Sequence, residues 1–208
     1  MTGKRRTWYD PVKRVLDVGG AVVGLVVLSP VLAITACVVA ANLGRPILFV
    51  QPRPGRDARV FRLVKFRTMR AAAAGEGVES DAGRLTPFGR RLRSTSLDEL
   101  PTLWNVLRGD MSFVGPRPLL VEYLDRYTPE QARRHEVRPG ITGLAQVSGR
   151  NAVTWEDRFS YDVAYVDRRS IALDTAILLR TVSTVLTRRG IAEQGHVTMS
   201  EYRGDLDR

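Results

Sequence analysis

An apolar run near the N-terminus constrains the fold of this chain more than any other feature. Val18 to Ala41 form a stretch of 24 residues without a charged side chain, rich in valine, leucine, alanine and glycine. As a straight helix this stretch would measure roughly 36 Å, enough to cross a hydrocarbon core of about 30 Å. The run therefore predicts a segment that enters a membrane rather than a helix buried in a soluble core.

The flanks of the run and a proline inside it favour a segment that turns back. Basic side chains stand on both sides, and the positive-inside rule places such flanks on the cytoplasmic face. Ser29 and Pro30 lie near the middle, where proline removes a helical hydrogen bond and its ring presses on the preceding turn. A re-entrant helix broken at Ser29-Pro30 satisfies both observations; a kinked helix that spans the membrane is the alternative. The basic flanking residues are Lys4, Arg5, Arg6, Lys13 and Arg14 before the run, and Arg45, Arg53, Arg56 and Arg59 after it.

The positive charge of the chain is concentrated in one segment. The formal net charge is +10, and residues 44–93 hold 12 basic against 4 acidic side chains, whereas residues 94–208 hold 15 against 16. Such a field attracts polyanions, so nucleic acid, anionic lipid and nucleotide phosphates are all compatible partners. The single cysteine, Cys37, excludes an intrachain disulfide and a cysteine-rich zinc site.

A small hairpin is predicted directly after the apolar run. Pro46–Val50 and Val60–Arg67 have the residue types and alternation of β-strands, and a turn is predicted at Pro52–Gly55. Ala71–Gly83, with five alanines, three glycines and several acids, is predicted to be a mobile loop and a candidate lid. The hairpin presents basic side chains at its end, which suits a site for anions.

The rest of the pattern is mainly helical, so the fold class is predicted as α+β with helices dominating. Leu144–Asn151 is predicted as a strand that runs into a loop carrying Arg150. Ile171–Leu186 has the spacing of an amphipathic helix that packs on a core or lies at a membrane interface. The predicted organisation is a basic N-terminus with the re-entrant helix at 1–43, a compact cytoplasmic core at 44–190 and a polar tail at 191–208.

Two adjacent acids, Asp98 and Glu99, follow a run of arginines. Ser96 and Glu99 fit the S-x-x-E capping box, in which each side chain satisfies a free backbone N–H. Pro101 is tolerated only in a first helical turn, so a helix from near Asp98 to Leu107 is predicted. Both carboxylates would then lie at a helix N-terminus, whose partial positive charge favours anions. The pair is predicted to be either a plain helix cap or part of a site where anions are gathered and attacked.

Several motifs in fixed order give this chain a family resemblance. Arg117 stands between two prolines, which fix the backbone and present the guanidinium with little entropy to lose. The motifs are Lys65–Met69 (KFRTM), Leu92–Pro101 (LRSTSLDELP), Asn105–Ser112 (NVLRGDMS), Val114–Pro118 (VGPRP) and Arg138–Asn151 (RPGITGLAQVSGRN). Together with the broken apolar helix, these motifs resemble the bacterial sugar transferase family, the monotopic phosphoglycosyl transferases, from about Lys13 to Gly190.

The resemblance implies an enzyme acting at a membrane surface. Members of the family move a phospho-sugar from a nucleotide diphosphate sugar, usually a UDP-sugar, to a polyprenyl phosphate such as undecaprenyl phosphate, and release UMP. They are similar in using a re-entrant helix, a site facing the cytoplasm, magnesium and a covalent intermediate. This chain is similar to the short form, which comprises the catalytic core only. Its reaction would begin the assembly of a membrane glycan, such as a glycoprotein glycan, an exopolysaccharide or an O-antigen.

Residue roles follow from the matching motifs. The resemblance implies that Asp98 is the nucleophile that attacks the sugar-bearing phosphorus, and a carboxylate is chemically competent for that attack. Glu99 would hold magnesium with Asp98 or accept a proton, because magnesium takes few carboxylates plus phosphate oxygens and water. Guanidinium forks match phosphate oxygens, so arginines are expected to clamp the diphosphate. The expected clamp is Arg93, Arg117 and Arg150; Lys65 and Arg67 are further phosphate-binding candidates, Ser29 and Pro30 shape the membrane segment, and Asp162 and Tyr165 are structural.

A non-catalytic interpretation also fits the charge. A membrane-tethered basic module that binds nucleic acid or anionic lipid would explain the basic segment but would make no use of Asp98 and Glu99. We therefore expect a nucleotide sugar, a polyprenyl phosphate and the lipid bilayer as partners, and no nucleic acid; a dimer is compatible with the sequence. The identity of the sugar depends on pocket shape and a few hydrogen bonds, which no short motif encodes.

Overall fold

Helices dominate the computed structural model, as predicted. It describes residues 8–70, 81–148 and 154–187, together with Tyr202 and Gly204. Within this part of the chain the strands form two sheets of two strands each. The helices are α1 Tyr9–Val27, α2 Ser29–Leu43, α3 Asp81–Arg84, α4 Pro87–Ser94, α5 Thr102–Arg108, α6 Pro129–Ala132, α7 Leu144–Ser148, α8 Trp155–Arg168 and α9 Ile171–Thr187; the strands are β1 Leu48–Pro54, β2 Val60–Phe66, β3 Ser112–Val114 and β4 Gly140–Thr142.

The apolar run forms two helices that meet at a sharp bend. α1 and α2 are bent by 63° across Leu28, one residue before the predicted Ser29-Pro30 break. Pro30 lies in the first turn of α2, where backbone N–H groups have no partner within the helix, so its lack of an N–H costs no helical hydrogen bond. The Ser29 hydroxyl donates to the Val26 carbonyl at 2.8 Å. Among the described helices none alone is both long and apolar enough to cross a bilayer, and α1 and α2 reach that length only as a bent pair. The helix-break-helix prediction is confirmed, while its position in a membrane remains a prediction.

Small residues let α1 pack closely on the rest of the molecule. A methyl group added at Gly20 would lie 2.8 Å from the Phe113 ring, and one added at Gly24 would lie 3.2 Å from a Leu103 methyl group. These distances are at or below van der Waals contact, so side chains from elsewhere in the chain occupy the space that larger residues would need. One face of α1 is therefore committed to the protein core, although its sequence is apolar nearly all round.

Two charged residues of α1 tie it to the end of α5 and to β3. The Arg14 guanidinium donates to the carbonyls of Val106 and Leu107, in the last turn of α5, at 2.6 and 2.8 Å. Asp17 is buried and accepts from the Ser112 hydroxyl and from the Phe113 backbone N–H, both at 3.1 Å. The N-terminal helix is thus tied by hydrogen bonds to the segment that precedes Arg117.

The predicted hairpin is present, but its turn lies further along the chain. β1 and β2 pair antiparallel from Leu48 opposite Phe66 to Pro54 opposite Val60. The chain reverses at Asp57 and Ala58, whose φ values of 55° and 57° are left-handed. The predicted turn at Pro52–Gly55 is wrong because prolines are tolerated in a strand with a free edge, and this sheet has only two strands.

The predicted strand at Leu144–Asn151 is also wrong. Residues 144–148 form α7, and residues 149–153, including Arg150, lie outside the described residues. Leu144 and Val147 both pack against the core around Val114, which requires the three-residue spacing of a helix rather than the alternation of a strand. The strand in this region, β4, comes earlier and pairs in parallel with β3.

The C-terminal helices α8 and α9 contribute to the core, which is one of the two placements predicted for α9. α9 matches the predicted amphipathic helix, with Ile177 buried and Leu179 and Val182 exposed. Tyr165 is buried and its hydroxyl lies 2.8 Å from an Asp174 oxygen, which agrees with the structural role expected for it. The loop predicted at 71–83 lies mostly outside the described residues, and its last three residues belong to α3.

Candidate active site

The acid pair lies in a 3-10 turn between two helices. Leu97–Glu99 form this turn after α4, and Ser96 before it is left-handed, with φ of 56°. The Ser96 side chain makes no capping hydrogen bond, and α5 begins only at Thr102. The predicted capping box is therefore wrong, because the left-handed residue turns the chain and the Glu99 carboxylate bonds to distant cations instead. Both acids precede the α-helix rather than starting it.

Glu99 is the centre of a cation cluster. Its Oε1 accepts from Lys65 Nζ at 2.5 Å and from Arg117 Nη2 at 3.0 Å. Burial opposes ionisation of Glu99, but Arg117 and Lys65 outweigh it and lower the Glu99 pKa to about 2. In turn, Glu99 raises the pKa of Arg117. The cluster joins β2, the 3-10 turn and the Pro-Arg-Pro loop through one carboxylate oxygen.

Asp98 has a different environment although it is the next residue. It is only 8% exposed, and no residue in the described part of the chain donates a hydrogen bond to its carboxylate. Burial, followed by the charge of Glu99, raises the Asp98 pKa to about 6, while Lys65, Arg93 and Arg117 oppose the rise. Asp98 is consequently ionised at neutral pH, poorly solvated and free of local partners, which are properties of an available nucleophile.

Close packing of α4 on the end of β2 positions Arg93. A methyl group added at Gly89 would lie 1.9 Å from the Thr68 carbonyl oxygen, so the helix backbone sits directly on this strand end. Arg93 Nε donates to the Thr68 hydroxyl at 3.0 Å. At the start of α4 the Thr86 hydroxyl accepts from the Gly89 N–H at 3.0 Å. Arg93 is thereby held where its charge stabilises ionised Asp98.

Three predicted site residues lie outside this cluster. The buried Arg67 guanidinium donates to the carbonyls of Leu43, of Gly44 at 2.7 Å and of Arg45 at 3.3 Å, and so caps the end of α2. Within the described chain no contact joins Arg67 to either acid. Ser29 and Pro30 stand at the helix bend. The structure brings together Lys65, Arg93, Asp98, Glu99 and Arg117.

Arg134 supports the site and was missed from the sequence. It forms a buried ion pair with Asp162 at 2.7 Å and donates from the same Nη2 to the Arg117 carbonyl at 2.7 Å. Asp162 therefore has the structural role predicted for it, with a partner 28 residues away. Because Arg134 contacts the backbone of Arg117, it fixes where that guanidinium is presented. No local pattern marks Arg134, whose importance arises only from the tertiary contact.

Arg53 is a second arginine that sequence reasoning did not select for the site. It extends from β1 toward the Pro-Arg-Pro loop, where its Nη1 lies 3.4 Å from the Pro118 carbonyl. Its Nη2 donates to the Gln51 side chain at 2.6 Å. This places a second guanidinium beside the loop that carries Arg117.

The two acids are the only candidate metal ligands in the described part of the site. No group of three or more His, Cys, Asp or Glu side chains converges there. Glu99 Oε2 and the Asp98 carboxylate accept no hydrogen bonds from described residues, so both retain free oxygens. This donor set fits a hard ion such as magnesium, which completes its shell with phosphate oxygens and water.

An apolar groove borders the acid pair on the side of the bent helices. It encloses about 800 Å³, with Leu25 from α1 and Leu32 and Ala36 from α2 forming one wall. Pro101 and Trp104, just after the acids, line it as well. The charged cluster and a large apolar surface therefore meet within a few residues of Glu99.

Fold and site together define a transferase of a known family. A profile described as bacterial sugar transferase matches residues 8–188, nearly the whole chain. The chain belongs to the bacterial sugar transferase family, and the non-catalytic interpretation of its basic segment is therefore set aside.

Relatives in other bacteria agree with this family. The chain is 49% identical over 196 residues to the uncharacterized sugar transferase EpsL of Bacillus subtilis, which covers 94% of this chain and 97% of that protein. It is 42% identical to the UDP-glucose:undecaprenyl-phosphate glucose-1-phosphate transferase of Caulobacter vibrioides, over 88% of this chain and 72% of the relative. Identity to the undecaprenyl-phosphate galactose phosphotransferase of Salmonella typhimurium is 37%, over 86% of this chain but only 41% of that longer protein.

Proposed function

We propose that this chain transfers a phospho-sugar from a UDP-sugar to undecaprenyl phosphate through a covalent intermediate on Asp98. The observation that carries the proposal is a buried carboxylate that accepts no hydrogen bond from the described residues, set among Lys65, Arg93 and Arg117. Relatives named for transfer of glucose 1-phosphate and galactose phosphate to undecaprenyl phosphate support the substrate classes. The products are a polyprenyl diphosphate sugar and UMP, and the reaction begins assembly of a membrane glycan.

The transfer proceeds in two displacements at one phosphorus. An Asp98 oxygen attacks the sugar-bearing phosphorus, and the bond from that phosphorus to the bridging oxygen breaks. UMP leaves with the bridging oxygen, and an acyl phosphate carries the sugar. A phosphate oxygen of the polyprenyl acceptor then attacks the same phosphorus and releases the Asp98 carboxylate. The limited solvation of Asp98 favours its attack, because little water must be displaced from the nucleophile.

The neighbouring cations neutralise charge on the diphosphate. Lys65, Arg93 and Arg117 outnumber the two acids, so the site carries a local positive excess that favours an anionic donor. Charge that develops on the leaving UMP oxygen is stabilised by donors already held in place. Glu99 holds Lys65 and Arg117 by ion pairs, and Arg134 fixes the backbone of Arg117.

Magnesium is proposed to assist at the same acids. Asp98 and Glu99 would hold it through their free oxygens, and when bound it supplies charge neutralisation on the diphosphate. With a pKa of about 2, Glu99 is a weak base at neutral pH. Its environment therefore favours a role in holding cations over the alternative of accepting a proton.

The bent helix pair is proposed to enter the cytoplasmic membrane and return to the same face. Support comes from the 63° bend and from side chains exposed on both arms, such as Val23, Val26 and Ile34. The active site then faces the cytoplasm, where nucleotide sugars are soluble, at the depth of a lipid phosphate. α9 lies at the interface with Leu179 and Val182 toward lipid.

A screen of UDP-sugars with undecaprenyl phosphate and magnesium tests this function. We expect UMP release with at least one donor, and a phospho-sugar adduct of the protein by intact mass when the acceptor is omitted. The Asp98→Asn variant should release no UMP and form no adduct. Full turnover by Asp98→Asn would overturn the covalent mechanism, and absence of UMP from the wild-type protein with every donor would overturn the function.

A further inference from the structure

Arg53 is a partly buried cation without an anionic partner. Its polar contacts are the Gln51 amide oxygen at 2.6 Å and, more weakly, the Pro118 carbonyl at 3.4 Å. In the described structure no carboxylate lies within ion-pair distance of it. Its Nε is buried and has no hydrogen-bond acceptor. A donor left unmet in this way is unfavourable, and a native protein usually has a reason for keeping one.

The charge that most affects the Arg53 pKa has the same sign. Burial, followed by the charge of Arg117, lowers the Arg53 pKa to about 10. Arg158 on α8 shows the same two causes, burial first and then Arg117, for its lowered pKa. Glu99 partners only the Nη2 group of Arg117, whose side chain is 41% exposed. Arg53 and Arg158 are thus each repelled by Arg117. Among the described carboxylates, Glu99 and Asp98 act on Arg117, while Glu122 acts on Arg53 more weakly than Arg117 does. An added anion would stabilise this group of arginines.

We propose that Arg53 and Arg117 together bind a phosphate group of a substrate. The inference rests on the proposed function and adds to it a residue outside the family motifs identified from the sequence. The Pro118 carbonyl sets Arg53 beside the Pro-Arg-Pro loop, and Gln51 holds one Nη group so that the fork keeps its orientation. Two guanidinium forks offer several N–H donors to one phosphate, which a lysine at either position would not match. Both the UDP-sugar diphosphate and the polyprenyl phosphate headgroup have this chemistry.

Arg53→Met tests the proposal because it removes the charge and keeps most of the apolar stem. The matched control is Arg59→Met, on the same hairpin, where the side chain is exposed and makes no hydrogen bond or ion pair within the described structure. The full-length protein in detergent is assayed for UMP release with each substrate varied in turn. UDP binding is measured separately by calorimetry, without acceptor or turnover.

We expect Arg53→Met to raise the KM of one substrate by about 10- to 100-fold, the loss expected for charge-assisted hydrogen bonds. A rise for the UDP-sugar, with weaker UDP binding, assigns the phosphate to the donor. A rise for polyprenyl phosphate alone assigns it to the acceptor. Arg53→Lys should recover part of the affinity, and Arg59→Met should match the wild-type protein.

Thermal unfolding separates binding from a structural role. Because Arg53 has no counter-ion among the described residues, Arg53→Met should unfold at the same temperature as the wild-type protein or higher when no ligand is present. Unchanged KM values for both substrates, together with unchanged UDP binding, would overturn the proposal while leaving the transferase function intact. Inactivity of the wild-type protein would instead count against the function, and the UDP titration would still report on Arg53.

Discussion

At the scale of single residues, the structure separates two carboxylates that are neighbours in sequence. Glu99 is surrounded by cations and has a pKa of about 2, whereas burial raises the pKa of Asp98 to about 6. Such a difference in pKa gives paired acids different roles, because the acid with the lower pKa stays ionised and binds cations while the other remains reactive. The proposed roles of nucleophile and cation holder follow this division.

The environment of Asp98 should make the protein less stable at high pH. Its folded pKa of about 6 lies above the ordinary value of 3.8, so the native state binds the proton more tightly and stability falls as pH rises through this window. Asp98→Asn resembles the protonated form. We expect the variant to be more stable than the wild-type protein by about 3 kcal/mol at pH 8, and by under about 1 kcal/mol at pH 4. Denaturant unfolding in detergent at both pH values measures the difference.

The same variant should lose activity, so stability and function should change in opposite directions. Thr95→Val is a suitable control, because Thr95 is exposed and its hydroxyl contacts only carbonyls of its own helix. Its stability relative to the wild-type protein should not depend on pH. Equal stability of Asp98→Asn and the wild-type protein at pH 8 would contradict the raised pKa.

His135 should have the opposite dependence on pH. Burial and the charge of Arg134 lower its pKa from 6.5 to about 4, although its Nδ1 lies 3.2 Å from the Gly55 carbonyl. Below pH 6.5 the unfolded state then binds a proton more readily than the folded state. The stability that neutral His135 contributes is therefore intact above pH 6.5 and is lost as pH falls toward 4. At pH 5 this amounts to about 2 kcal/mol. Between pH 7.5 and pH 5 the wild-type protein should lose about 2 kcal/mol more stability than His135→Gln, measured by denaturant unfolding.

The residue-scale predictions succeeded where chemistry was concentrated in motifs. Asp98, Glu99, Lys65 and Arg117 were all selected from the sequence and lie in one cluster. Arg67 was selected on equal grounds, yet its guanidinium caps a helix. What distinguishes Lys65 from Arg67 is the partner that each side chain contacts, Glu99 for Lys65 and the carbonyls at the end of α2 for Arg67. These partners depend on tertiary packing rather than on residue type.

At the scale of elements, contact between α4 and β2 determines where Arg93 is held. Gly89 allows this contact, since a methyl group there would lie 1.9 Å from a backbone oxygen of Thr68. We expect Gly89→Ala to lower stability by about 1–3 kcal/mol, the usual effect of overpacking, and to reduce turnover by displacing Arg93. Denaturant unfolding and UMP release measure the two effects.

Gly83 offers the matched control for this substitution. A methyl group at Gly83 would have no atom within 4 Å, and the residue is also helical. Gly83→Ala should therefore leave turnover unchanged and stability equal or slightly higher, because alanine favours the helix. Similar losses in both variants would show that the contact with Thr68 does not govern the effect of Gly89→Ala.

Predictions of elements succeeded for long patterns and failed for short ones. The bent apolar pair, the hairpin and α9 each rest on many residues with a consistent period. α7 has five residues, so an alternating and a helical pattern are almost indistinguishable over its length. The 3-10 turn at Leu97–Glu99 depends on left-handed Ser96, a conformation that serine seldom adopts and that no neighbouring residue signals.

At the scale of the whole molecule, topology can be tested through the two arms of the bent pair. We expect single cysteines at Val12 and Arg59, both exposed, to react from the cytoplasmic side of the membrane in a Cys37→Ala background. A membrane-impermeant maleimide applied to inside-out vesicles and to intact cells measures this. Reaction of the two positions from opposite sides would contradict the re-entrant placement and favour a spanning helix. Cys37, on α2, serves as the wild-type reference.

The attachment of α1 to the end of α5 bears on how the protein can be prepared. Removing residues 1–43 would take away Arg14 and Asp17, and would leave the α5 carbonyls and the Ser112 hydroxyl without these partners. Phe113 and Leu103 would lose the glycine face that covers them. A shortened, water-soluble version should therefore misfold or aggregate, and solubilisation of the intact chain in detergent or a lipid nanodisc is the appropriate route to an active sample.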